Sequence, residues 1–188
     1  SSGSANASLT LTHSFNSAGS PTINNPITAE AGTSGTLTLT YANAAGFTNG
    51  FTTIGNITLD NNLTIAGNFS ASTHVTFQDT ISAGSPGNYT LTFNAGSTNT
   101  LILFQNVANA IQDGLAGGTL AVDVKGTAGK LQLNTTTSYS GGTTIEGSAF
   151  VQVETANALP TAGNVTLLNT ATLLLGVFTT NIGALNSS

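Results

Sequence analysis

The side chains best equipped for chemistry are few. A chain of 188 residues carries seven acids, two lysines, two histidines and no cysteine. The acids are Glu30, Asp60, Asp79, Asp113, Asp123, Glu146 and Glu154. Paired carboxylates can cleave glycosidic bonds, one as acid and one as base or nucleophile. Glu146 and Glu154 stand eight residues apart and Asp113 and Asp123 ten apart, so either pair could meet on one face. Acids in a water-facing pattern are more commonly solvated groups. With two Lys and no Arg, the chain also lacks the usual cation for steadying an anionic sugar intermediate. His13 and His74 sit among hydroxyl residues, and His74 with Asp79 formally allows a Ser-His-Asp set. No Gly-x-Ser-x-Gly elbow is present to activate a serine. Both histidines therefore read as outward strand residues.

Two further stretches suggest ligands. Asp60-Asn61-Asn62 is an oxygen-rich turn of the kind hard cations accept. It lacks the spaced acids of an EF-hand loop and the Gly-rich nonapeptide of calcium-binding β-rolls, which leaves an ordinary Asx turn. Gly126-Thr127-Ala128-Gly129-Lys130 looks like a phosphate loop, but two residues rather than four separate its glycines and Leu131 replaces the Ser or Thr. It is expected to be a hairpin turn. The residue types thus assign no catalytic, cofactor-binding or metal-binding position, and the chain is expected not to be an enzyme.

Composition narrows the partners. Only 5% of the residues are charged, against about 25% in an ordinary soluble domain. Hydrophobic residues make up 39%, enough for an ordered core and too many for a disordered polar chain. They are dispersed, and no run approaches the roughly 20 residues of a membrane-spanning helix. No membrane insertion by this segment is expected. Lys125 and Lys130 cannot make the basic stripe that phosphate backbones require, so no nucleic acid is expected either. The absence of Met suggests a processed or excised product. Asn-x-Ser/Thr occurs at Asn6, Asn56, Asn62, Asn68, Asn88, Asn134, Asn164 and Asn186, and turn chemistry in a Thr-rich chain accounts for it without glycan.

The elements that must carry these residues are strands. Thr36 to Thr40, Tyr89 to Phe93 and Leu120 to Val124 alternate apolar and polar residues; Leu131-Gln132-Leu133 and Val151-Gln152-Val153 do so more briefly. The best helical candidate, Val107 to Leu115, is short and contains Gly114. Four stretches share a Gly-Asn-apolar-hydroxyl pattern, starting at Gly55, Gly67, Gly87 and Gly163, and each reads as a turn followed by a strand opening. Short strands with polar turns at about 20-residue spacing are the sign of a β-solenoid, which at that period would have roughly nine coils. At about 4.8 Å per coil it would be a rod of roughly 40 Å. The alternative all-β architecture is a β-sandwich. It usually carries a buried Trp or a tyrosine corner; this chain has no Trp and three Tyr.

One region supports a closer comparison. Leu131-Gln132-Leu133, a polar loop, and Tyr139-Ser140-Gly141-Gly142-Thr143-Thr144-Ile145 are followed by Phe150 to Glu154, Ala158-Leu159-Pro160, Val165-Thr166-Leu167 and Ala171-Thr172-Leu173. The run closes on Phe178, Ile182, Gly183 and Leu185. Over residues 129–186 this resembles the passenger-associated transport repeat of bacterial autotransporters, with Gly147-Ser148-Ala149 where the family usually has Gly-Gly or Asn-Gly. Residues 1–128 hold no clear copy. The resemblance implies a right-handed parallel β-helix in an extracellular passenger segment on the bacterial cell surface. Residues 1–188 read as a single solenoid segment, with residues 1–50 a cap, an irregular entry region or a separate small sheet. The resemblance also implies structural rather than chemical roles for the motif residues. The expected function is a non-catalytic structural or adhesive segment whose partners are itself or a host or neighbouring cell-surface ligand. The alternatives are a filament or surface-lattice subunit assembled by strand pairing and, more weakly, a polysaccharide-cleaving β-helix.

Overall fold

The fold is taken from a computed structural model, which describes residues 6–13, 21–32, 35–43, 50–53, 55–69, 73–96, 100–127 and 129–188. Among them it is all-β, without helices. In chain order the strands are β1 (Ala7–His13), β2 (Thr22–Ile23), β3 (Ile27–Ala29), β4 (Leu37–Asn43), β5 (Phe51–Thr53), β6 (Ile57–Leu59) and β7 (Leu63–Asn68). Next come β8 (Thr73–Phe77), β9 (Ile81–Ala83), β10 (Asn88–Ala95), β11 (Thr100–Phe104), β12 (Ile111–Gln112) and β13 (Thr119–Gly126). The last are β14 (Lys130–Leu133), β15 (Thr143–Ile145), β16 (Phe150–Val153), β17 (Val165–Leu167), β18 (Thr172–Leu175) and β19 (Leu185–Ser187).

They form three sheets. One has eight strands in the order β1-β4-β7-β10-β13-β15-β17-β19, a second has seven in the order β2-β5-β8-β11-β14-β16-β18, and the third has four, β3-β6-β9-β12. Every strand pairing is parallel. Consecutive strands belong to different sheets, so the chain visits each sheet in turn. Parallel neighbours cannot be joined by a two-residue hairpin, which is why the loops lead from one sheet to another. The stretch from Gly126 to Lys130 is accordingly not a hairpin: β13 pairs with β10 and β15, whereas β14 pairs with β11 and β16.

The register sets the repeat. In the largest sheet Ala7 lies beside Leu37, Leu37 beside Leu63, Leu63 beside Leu91 and Asn88 beside Thr119, steps of 30, 26, 28 and 31 residues. Later steps shorten to 21, 22 and 20, with Val122 beside Thr143, Thr143 beside Val165 and Val165 beside Leu185. The expected spacing of about 20 thus describes only the later part. Shortening coincides with the end of the third sheet, whose last contact is a lone bridge from Gln112 to Ser138. Eight strands in the largest sheet, with about 4.8 Å between neighbours, give a stack of roughly 34 Å.

Alternation places the core. Leu91 and Phe93, Leu120, Val122 and Val124, Leu131 and Leu133, and Val151 and Val153 are all buried, and their alternating neighbours are not. Like side chains meet like along the register: Ile57, Ile81 and Ile111 line up across the third sheet. Phe77 lies beside Phe104 with ring centres 4.9 Å apart and planes 15° apart. Tyr41 packs edge-on to Phe51 at 5.3 Å and to Phe77 at 6.0 Å. Its hydroxyl shares a 2.9 Å hydrogen bond with Thr53, and burial pushes its pKa up to about 12, opposed in part by that bond.

Asparagines tie successive strands together. Asn6 accepts from the Thr36 amide and Asn62 from the Thr90 amide, both at 2.8 Å, while Asn88 accepts from the Thr119 hydroxyl at 2.6 Å. The Gly-Asn pairs are not equivalent in space. Those at Gly55, Gly87 and Gly163 lead into β6, β10 and β17, whereas Gly67-Asn68 closes β7. The Val107–Leu115 stretch holds a turn and then β12 rather than a helix, with Asn106 just before it and Asn109 within it at φ of 68° and 55°. Such left-handed residues interrupt a helix. Thr136 holds that turn, its hydroxyl accepting from the Asn109 amide at 3.1 Å.

Candidate functional site

A concavity with polar chemistry, a groove of about 430 Å³, lies on the outer face of the largest sheet. It crosses β10, β13, β15 and β17 and is bordered by the loops before the last two. Its floor follows from alternation. Inward Val122, Val124, Ile145 and Val165 are buried, so their neighbours Asp123, Thr144 and Thr166 face outward and lie side by side in register. Thr90, Ser140, Glu146 and Asn164 complete the polar wall.

Small residues make the hollow. Ala121, Gly141, Gly142, Ala162 and Gly163 line it where larger side chains would fill it. A Cβ on Gly141 would fall 2.5 Å from the Leu120 carbonyl oxygen, and one on Gly163 would fall 2.7 Å from the Gly142 Cα. Gly142 has φ +86°, a conformation that favours glycine. The same glycines let neighbouring backbones bond closely: the Gly141 amide donates to Leu120 at 2.8 Å and the Val122 amide to Gly142 at 3.0 Å.

Beneath the groove, Tyr139 is buried and its hydroxyl meets that of Thr143 at 2.6 Å. Burial raises the Tyr139 pKa well above that of an exposed phenol, with the bond to Thr143 pulling the other way. The Tyr-x-Gly-Gly-Thr spacing thus has a structural use. Two glycines turn the chain tightly enough for a tyrosine and a threonine four residues apart to satisfy each other inside.

At the edge of the groove Lys125 reaches Asp123 at 2.8 Å and Glu146 at 2.7 Å. These hydrogen bonds, Asp123 first and Glu146 second, raise the lysine pKa. Lys125 is 45% exposed, so solvent screens the pairs. Asp123 Oδ1 is buried without a hydrogen-bond partner, its negative charge balanced by the lysine on its other oxygen.

The residues singled out by type are placed differently from their sequence spacing. Asp123 and Glu146 share a lysine, although 23 positions separate them. Asp113 is instead a backbone clamp, accepting from the Leu120 amide at 2.7 Å and the Ser140 amide at 3.2 Å. Glu146 follows β15 and Glu154 follows β16, strands of different sheets; Glu154 instead accepts a hydrogen bond from the Gln152 side chain. His74 is exposed on β8, and Asp79 caps the Thr80 amide at 2.8 Å. His13 ends β1, and its side chain lies outside the described residues. Asn61 accepts from the Asn62 amide at 2.8 Å, and Asn62 accepts from Thr90. Among the described residues, no three His, Cys, Asp or Glu side chains converge as a metal site.

Of the other motif residues, Ala158, Leu159 and Pro160 are buried between β16 and β17, and the Ala158 carbonyl accepts from the Thr137 hydroxyl at 2.9 Å. Val165 is buried, Leu167, Leu173 and Ile182 are half-buried against the core, and Gly183 and Leu185 are exposed. The bridging role of Lys125 was missed from sequence, as were Ser140, Asn164 and Thr166 as groove residues. Their only signal was outward alternation on β13, β15 and β17. Comparison with known proteins gives no match to a family model, a curated protein or a solved structure.

Proposed function

We propose that the chain is a right-handed parallel β-helix serving as a non-catalytic, extracellular structural and adhesive segment of an autotransporter-type bacterial surface protein. The observation that carries this reading is the register. Strands pair in parallel one circuit apart, so each circuit lays its apolar residues on the next. Sandwich sheets are antiparallel, which disfavours that alternative. Right-handedness follows from the general preference of parallel crossovers, and the likeness of residues 129–186 to the passenger repeat supports the surface assignment. The acids support a non-catalytic role by what they do: Asp113 clamps backbone amides, Asp79 caps a turn, and Asp123 and Glu146 hold Lys125.

An experimental structure tests the scaffold, and an antiparallel two-sheet core would overturn it. Antibody labelling of intact host cells tests the location. Surface labelling is expected, and labelling only after lysis would refute it. A second reading, assembly between chains by strand pairing, is favoured by edge strands β18 and β19, which expose Leu174, Leu175 and Leu185. Regular fibres in negative stain would support it; a monomer in light scattering at high concentration would refute it.

A further inference from the structure

We propose that the groove over β10, β13, β15 and β17 binds a neutral, linear glycan lying along the stack. This deepens the adhesive part of the reading above and rests on its stacked strands. The groove crosses three inter-strand steps of about 4.8 Å, roughly 14 Å in all, so it suits an extended ligand. Its volume of about 430 Å³ is that of a small-ligand site.

The lining chemistry selects the ligand class. Ser140, Thr144 and Thr166 offer hydroxyls and Asn164 an amide, groups that donate and accept as sugar hydroxyls do. Hydroxyl rows on neighbouring strands repeat along the direction in which a linear glycan repeats its own. Charge argues against the other classes. No lysine or arginine lines the groove, and Asp123, Glu146 and Lys125 together carry a net negative charge, so an anionic ligand would meet no compensating cation. A cationic ligand would have to displace Lys125 from contacts of 2.8 and 2.7 Å. An apolar ligand would bury the hydroxyls without partners. No aromatic ring lines the groove, so binding rests on hydrogen bonds and a dissociation constant of roughly millimolar order is expected.

Amide-resolved NMR titration of the whole chain with cellotetraose, chitotetraose and maltotetraose, beside trigalacturonate as the acidic probe, tests this. At least one neutral probe should shift amides clustered at residues 140–146 and 162–166, and trigalacturonate should not. Replacing two hydroxyls by isosteric methyls in Thr144→Val/Thr166→Val should weaken binding about tenfold. Asn164→Ala provides a second variant if that one folds poorly. Shifts with no neutral probe, shifts confined elsewhere, equal binding of trigalacturonate, or unchanged binding by the variants would each overturn the proposal. If the parallel ladder is found and no glycan binds, the groove inference alone falls. If the ladder is absent, the scaffold reading falls first.

Discussion

Tyr139→Phe is the sharpest test of the Tyr-x-Gly-Gly-Thr corner. The substitution removes one oxygen and opens almost no cavity. What remains is Thr143 Oγ1 in a side chain only 3% exposed, deprived of its 2.6 Å partner. A buried hydroxyl left unsatisfied costs about 1–3 kcal/mol, more than the net worth of the bond itself. Thr143→Val makes the reciprocal error, stranding the hydroxyl of Tyr139, which is 1% exposed, and should cost a similar amount. The double variant replaces both partners by apolar groups and should recover much of the loss, with a coupling of about 1–2 kcal/mol. Urea unfolding followed by circular dichroism reads this out. With a urea slope of about 2 kcal/mol per M, each single variant should lower the midpoint by roughly 1 M at unchanged slope. Strictly additive single effects, with coupling below about 0.3 kcal/mol, would refute the account of why these two residue types stand four apart.

Other perturbations separate the contributions to the fold. Burial raises the pKa of Tyr41 to about 12 and that of Tyr139 further. Above the ordinary phenol value of about 10 the native state therefore holds more protons than the unfolded one, and stability falls as pH rises from there toward about 12. Denaturation midpoints at stepped alkaline pH should show this decline, and Tyr41→Phe should flatten part of it. Gly163→Ala drives a Cβ to 2.7 Å from backbone at Gly142 and should cost about 1–3 kcal/mol. Gly117→Ala meets nothing within 4 Å and carries only the strain of φ +85°, about 1 kcal/mol; equal thermal shifts for the two would contradict the packing. Ile81→Ala, between Ile57 and Ile111, should cost about 2–5 kcal/mol in equilibrium unfolding, whereas Leu185→Ala at the exposed sheet edge should stay within about 0.5.

Local alternation was readable where one face of a strand is buried. Val122, Val124, Val151 and Val153 point inward because the pleat alternates faces, and that pattern survives without any knowledge of neighbours. Pairing was not readable, because in the largest sheet parallel partners lie 20 to 31 residues apart and that step varies with loops that carry no fixed period. The partnership of Asp123 and Glu146 depends on the 21-residue step between β13 and β15, so Lys125 looked unremarkable in sequence. The groove was hidden for a related reason. Gly141, Gly142 and Gly163 read individually as turn residues, and only their stacking leaves a hollow. The discounted helical candidate Val107–Leu115 is indeed not helical, and Asn106 and Asn109 take positive φ there.

The loss of the third sheet after Gln112 has a mechanical consequence. Ring contacts among the described residues fall between Tyr41 and Phe104, in the part of the chain that contributes to all three sheets. Past it, the buried apolar residues are chiefly Val, Leu and Ile, with Tyr139 the one aromatic ring among those described. In a nearest-neighbour array, stability is set circuit by circuit rather than shared evenly. On the proposed stacking, heat or tension is therefore expected to unravel the part past Gln112 first and the aromatic-rich part last.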